Sequence, residues 1–193
     1  MTQRDNWLRV VEFRGPEWIP CSVSFAPLTW KIHREKLEEV VLGHPRLFPG
    51  FRAGSVDYDF YGPVYRRDEY YTDNWGCVWF NAIGGIEGQV VGHPLADWDN
   101  LAKWRPPDPR TQAERGPRDW EAIRAAVKAA RERGELIWGD GERLFDRLYF
   151  LRGFDNLMTD IATNDPRMNK LIGILLDYEK ELVGMWLELG ADV

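Results

Sequence analysis

Residues from which metal sites and disulfide frameworks are built are scarce in this chain. Its 193 residues include two cysteines and three histidines. Cys21 and Cys77 lie far apart with no CxxC spacing, which reads as reduced thiols rather than a disulfide framework or a zinc knuckle. Positive charge is also short: 25 Lys and Arg stand against 31 Asp and Glu, for a formal charge of −6. No basic run interleaved with aromatics appears, so a phosphate-tracking surface and a nucleic-acid partner are not expected. Long apolar runs are missing as well. No segment approaches the roughly 18 unbroken apolar residues that a membrane span needs. The opening Met1-Thr2-Gln3-Arg4-Asp5-Asn6 has no apolar core of signal-peptide length, so no membrane contact and a cytoplasmic location are expected. No internal repeat of fixed period is visible.

What is present is a core of ordinary size and an excess of tryptophan. With 44% hydrophobic and 29% charged residues the length suits one compact unit. Ten tryptophans imply large buried area or a cleft for something flat and apolar. Trp7, Val10 and Val11 predict a short first helix, stopped by Gly15-Pro16. Trp18 to Phe25, apolar and β-branched between prolines, reads as a strand buried on both faces, with Cys21 a small hydrophobe inside it. Thr29 to Leu42 predicts an amphipathic helix with Ile32, Leu37, Val40 and Val41 on one side.

From Arg46 to about Trp98 the helical periodicity fails, and short extended pieces at Gly76 to Phe80 and Gly88 to Val91 could pair as a hairpin across Asn81 to Ile86. A loop this long inside a compact domain is functional when it is real. Its aromatics, from Phe51 and Tyr58 through Phe60, Tyr61 and Trp75 to Trp79, argue for order. Beyond it, a helix over Arg118 to Arg133 closes at Gly134, and Leu136 to Asp140 reads as a second short strand. A helix over Arg143 to Ala162 follows, then a last one capped by Asp165-Pro166 that ends at Gly190. Ala191-Asp192-Val193 reads as the opening of a third strand. Strands alternating with helices imply parallel pairing, so the expected class is α/β.

The chemistry concentrates in Asp73-Asn74-Trp75-Gly76-Cys77, followed by His93-Pro94-Leu95-Ala96-Asp97-Trp98 and Pro106-Pro107-Asp108-Pro109. Asp73 beside two tryptophans and a chain-reversing glycine is either a carboxylate with a perturbed proton affinity or the cap of a turn. Asp140, just past a parallel strand, is either a site residue or an N-cap. His93 between Gly92 and Pro94 is a turn residue or faces substrate. Cys77 reads as the more accessible of the two thiols.

These segments, with Gly139-Asp140-Gly141 and the final Leu189-Gly190-Ala191-Asp192, resemble the uroporphyrinogen decarboxylase family, whose TIM-barrel superfamily includes the corrinoid-dependent methyltransferases. The resemblance implies a single partial domain over residues 1–193. It would be the N-terminal portion of a (β/α)8 barrel, holding two to three of its strands with residues 46–109 as an irregular excursion. It implies Asp73 as the carboxylate that meets the pyrrole N–H groups of a tetrapyrrole and Tyr149 as a tyrosine near the substrate carboxylates. Trp75, Asp140, His93 and Cys77 are the substrate-binding candidates.

The decarboxylases carry an Arg-Gln-Ala-Gly-Arg-Tyr signature after the first strand. Ser24-Phe25-Ala26-Pro27-Leu28-Thr29-Trp30 stands there instead, with no cation to fork onto a polyanionic porphyrinogen. The resemblance therefore leans toward the methyltransferase branch, whose zinc activates a substrate thiol. That branch takes its His and Cys ligands from the later half of the barrel, so no cofactor is expected on this chain alone, with corrinoid and zinc belonging to a full-length relative. The expected partners are a small-molecule tetrapyrrole or a corrinoid protein. The expected product is a truncated one, covered by a second copy or by a complementing chain because two parallel strands expose an edge. Carboxy-lyase chemistry and a non-catalytic assembly module are the alternatives.

Overall fold

The computed structural model describes residues 1–59 and 62–193, with the backbone alone at Pro63. Phe60 and Tyr61, counted among the ordering aromatics, lie outside the described residues. In chain order the elements are α1 (Gln3–Val11), α2 (Pro27–Leu42), β1 (Tyr70–Thr72), β2 (Val78–Phe80), β3 (Gln89–Gly92), α3 (Trp120–Glu132), α4 (Leu144–Arg152), α5 (Phe154–Thr163) and α6 (Pro166–Glu188). Single 3-10 turns occur at Pro63–Tyr65 and Trp98–Ala102.

The helices form where local capping chemistry specifies them. Thr2 and Asp5 make a reciprocal capping box at the start of α1, Thr2 Oγ1 accepting from the Asp5 amide and Asp5 Oδ2 from the Thr2 amide. Asp119 accepts from the amides of Glu121 and Ala122 to begin α3, and Asp165 accepts from Arg167 to begin α6. The α6 stripe of Met168, Leu171, Leu175, Tyr178 and Leu182 is buried, as its spacing predicts. In α2, Arg34 adopts φ 43° and ψ −125°, which breaks the helical phase. Leu37 and Val41 beyond the break are buried, while Ile32 before it is exposed.

The expected strands are the main correction. Trp18 to Phe25 forms no strand and Ile19 is 83% exposed. Pro20 has no amide to give a ladder, and just before it the Asn6 side chain bonds the Glu17 amide and the Trp18 carbonyl at 2.8 Å each. The three-stranded sheet, ordered β1-β2-β3 and antiparallel, comes from the excursion. Its β2 and β3 match the two extended pieces expected to pair, and β1 joins them through the Asp73–Cys77 turn.

Leu136 to Asp140 is not a regular strand either, but it is hydrogen-bonded to Asp192 and Val193. The Asp192 and Val193 amides both donate to Ile137 O, at 2.9 and 3.3 Å, and the Gly139 amide donates to Val193 O at 2.8 Å. The helix expected over Arg143 to Ala162 is broken at Gly153, whose φ of 81° ends α4 and precedes α5.

The chain forms two compact units. One comprises residues 1–18, 72–78 and 90–193, with Trp75, Leu95, Leu151, Leu157 and Leu171 in its core. The other comprises residues 19–71 and 79–89. Its interior is aromatic: Trp30 stacks on Phe51 and Tyr58 at centroid separations of 5.8 and 6.4 Å, and buried Glu38 accepts from the Tyr58 hydroxyl.

Candidate functional site

The Asp73 segment is the turn of the β1-β2 hairpin. The Asp73 amide donates to Cys77 O and the Gly76 amide to Asp73 O, both at 3.0 Å, while Gly76 takes φ 84°. Asp73 Oδ1 accepts from the amides of Trp75 at 3.0 Å and Cys77 at 2.8 Å. The carboxylate thus builds the turn, the structural option that its place before Asn and Gly allows. Asn74 extends the arrangement outward, its side-chain amide donating to the carbonyls of Ala113 and Gly116.

Arg147 lies beneath the turn. Its guanidinium is 2% exposed and reaches Asp73 Oδ2 at 3.4 Å, Glu114 Oε1 at 2.8 Å and Glu142 Oε2 at 2.9 Å. It also lies 4.5 Å over the Trp75 ring. Trp75 is enclosed between Trp104 and Tyr178, with centroids at 6.1 and 4.7 Å. Burial pushes the Tyr178 phenol up to about 12 and lifts the Glu142 carboxyl above the usual carboxylate range.

Breaking the helix at Gly153 decides what else gathers here. The last carbonyls of α4 lose their intrahelical partners, and each finds another. Phe150 O accepts from Cys77 Sγ at 3.5 Å and from His93 Nδ1 at 2.7 Å. Leu151 O accepts from the Leu95 amide at 2.9 Å, and Arg152 O from Asn156 Nδ2 at 2.9 Å. Because a carbonyl only accepts, His93 donates to it through Nδ1. The bare Gly153 makes room for it, since a Cβ there would stand 3.3 Å from the His93 ring. The remainder of the His93-to-Trp98 motif is held by Arg152, which donates to Ala96 O and Asp160 and lies 3.9 Å over Trp98.

Of the six candidates, the structure gathers Asp73, Trp75, Cys77 and His93 around α4. Tyr149 belongs to α4 itself and is half-buried, its ring centroid 4.3 Å from that of Phe150, and burial raises its phenol. Asp140 does not join them. It is exposed and bound to Arg118 Nη1 through both oxygens at 2.9 Å, with Trp186 Nε1 also donating to it.

The expected exposure of the thiols is reversed. Cys77 is fully enclosed, with burial pushing its thiol up to about 12, and Cys21 is exposed. A thiol raised this far is neither a nucleophile nor a ready metal ligand. Asp73 and Trp75 are likewise shut away, at 5% and 1% exposure.

Arg147, Glu114 and Glu142 are the residues that sequence reasoning missed. Their one signal is an arginine spaced three and four positions from Leu144, Phe150 and Leu151, a charge inside an apolar stripe that demands a buried partner. Among the described residues no group of three or more His, Cys, Asp or Glu side chains is placed to hold a metal ion. No described helix is long and apolar enough to cross a membrane. No protein-family model matches the chain, and neither a curated protein nor a solved structure is significantly similar to it.

Proposed function

We propose that the chain carries the amino-terminal segment of a uroporphyrinogen decarboxylase-type barrel, on its corrinoid methyltransferase side, and meets a corrinoid or tetrapyrrole ligand through His93 and Tyr149. The observation that carries this reading is the hydrogen bonding of Ile137 and Gly139 to Asp192 and Val193, with α4, α5 and α6 lying between the two segments in sequence. In such a barrel, neighbouring segments that are hydrogen-bonded to each other are joined through helices. The lack of a cation from Ser24 to Trp30 favours the corrinoid over the polyanionic porphyrinogen. In this reading Asp73 shapes the hairpin, and the half-exposed His93 offers the accessible polar atom.

Titrating the full chain with methylcobalamin and with uroporphyrinogen, read by quenching of its tryptophans, tests this reading. Saturable quenching by the cobalamin, weakened at least tenfold in His93→Ala, is expected. Tight porphyrinogen binding with Asp73-dependent decarboxylation would move the assignment to a carboxy-lyase. Binding of neither would leave the assembly-module reading, which the 55% exposure of Trp138 beside Ile137 also supports.

A further inference from the structure

Around Arg147 the carboxylates outnumber the cation. Asp73, Glu114 and Glu142 all contact one guanidinium that is 2% exposed. With every group ionised, three negative charges would face one positive around a guanidinium shut away from water. Glu179 of α6 adds another carboxylate, its Oε2 accepting from the Glu142 amide at 3.0 Å. The other groups facing Glu142 do not offset this excess. Arg115 stands 4.0 Å from Glu114 and adds one cation against these four carboxylates. Cys77 and Tyr178 are held neutral by burial, and Arg118 is paired with Asp140 at 2.9 Å. Excess buried charge costs several kcal/mol per ion even after relaxation, and the least costly remedy is a proton.

The geometry selects the group that takes it. Asp73 uses both oxygens, Oδ1 for two backbone amides and Oδ2 for Arg147. The Glu114 side chain is 34% exposed and can keep its charge in solvent. The Glu142 side chain is 14% exposed, and both Arg147 Nε and Nη2 reach the same oxygen, Oε2, at 3.0 and 2.9 Å. Its Oε1 is left to carry a hydrogen.

We propose that the Arg147 cluster is a proton switch: Glu142 is protonated when the Asp73–Cys77 hairpin is clamped to α4, and release of that proton to water loosens the clamp. Burial raises the Glu142 carboxyl against the lowering pull of Arg147, and the charges of Glu114 and Glu179 add to the rise. A carboxyl raised in the folded state stabilises fully below the ordinary glutamate range and loses that contribution as pH climbs through the raised value. The clamp is therefore tightest in mild acid, the reverse of an ordinary carboxylate ion pair. The switch does not depend on the methyl-transfer reading.

The test follows two signals in the full chain as pH is raised: the 13C resonance of the Glu142 side-chain carboxyl, and the 19F resonance of Trp75 in protein carrying 5-fluorotryptophan. The first is assigned through backbone correlations and the second by its absence in Trp75→Phe. Glu142 is expected to titrate above the ordinary value of about 4.3, with the Trp75 signal moving at the same midpoint. In Glu142→Gln the Trp75 signal is expected to stay at its acid position throughout. A Glu142 midpoint at or below about 4.3 overturns the proposal. A Trp75 signal that ignores the Glu142 midpoint, or moves identically in the variant, overturns it too. Should the variant fail to fold, the two wild-type midpoints decide.

Discussion

Cys77 and His93 share one acceptor, the carbonyl oxygen of Phe150, with the sulfur at 3.5 Å and the imidazole nitrogen at 2.7 Å. Two segments distant in sequence are thereby fixed to the last turn of a single helix. The carbonyl is available to them because the chain leaves the helical path at Gly153.

Native Cys77 is expected to resist thiol reagents. At pH 8, Ellman's reagent should titrate one thiol per folded chain, the exposed Cys21, and both after unfolding. The raised thiol also makes an alkaline prediction. Stability present below the ordinary value of 9.0 is lost as pH rises toward about 12, so Cys77→Ala should flatten the alkaline limb of a melting-temperature profile relative to wild type.

Gly153→Ala places a side chain at φ 81° and within 3.3 Å of the His93 ring. With ψ at 143° this is a positive-φ region that is essentially glycine's alone, and it costs an L-residue about 1–3 kcal/mol. A loss of that size in urea denaturation is expected, with a perturbed His93 ring signal in NMR. Unchanged stability would mean that the helix break is not held at Gly153.

Arg147→Met strips the shared cation from Asp73, Glu114 and Glu142 while keeping much of the side chain's bulk. Removing one partner of a buried ionic group typically costs about 3–5 kcal/mol, because charges are left uncompensated. Denaturant unfolding should show a loss of that order at neutral pH. Acidification should restore part of it as the orphaned carboxyls take up protons.

Asp192 predicts the opposite pH behaviour to Glu142. Burial alone would raise its carboxyl, but hydrogen bonds from Arg4, the Ile137 amide and Arg131 outweigh burial and hold it at about 2. A depressed carboxyl stabilises above its unfolded value and loses that contribution as pH falls. The acid limb between the ordinary 3.8 and about 2 should be shallower in Asp192→Asn, read as melting temperature against pH.

The helices were more legible than the strands because their signals are local. Thr2 with Asp5, Asp119 and Asp165-Pro166 each satisfy amides within a turn, so position in sequence nearly decides the structure. A strand needs a partner, and Trp18 to Phe25 has an apolar pattern without one, with Pro20 withholding a donor. The two cysteines were misjudged for the same reason. Cys77 is buried by Phe150, which lies 73 residues away, and nothing near it in sequence announces that contact. Asp73 was legible as a special residue, but its two possibilities could be separated only by seeing which donors it faces.

The grip of Arg4 on Asp192, at 2.8 Å, closes a loop across 188 residues. Chain statistics put the entropic cost of bringing such distant residues together at about 4–5 kcal/mol, more than a half-exposed ion pair returns. This contact therefore cannot lead folding. It forms once α6 has docked and delivered Asp192 to Ile137, so a kinetic experiment would see it as a finishing step, with Arg4→Ala speeding unfolding and leaving the folding rate nearly unchanged.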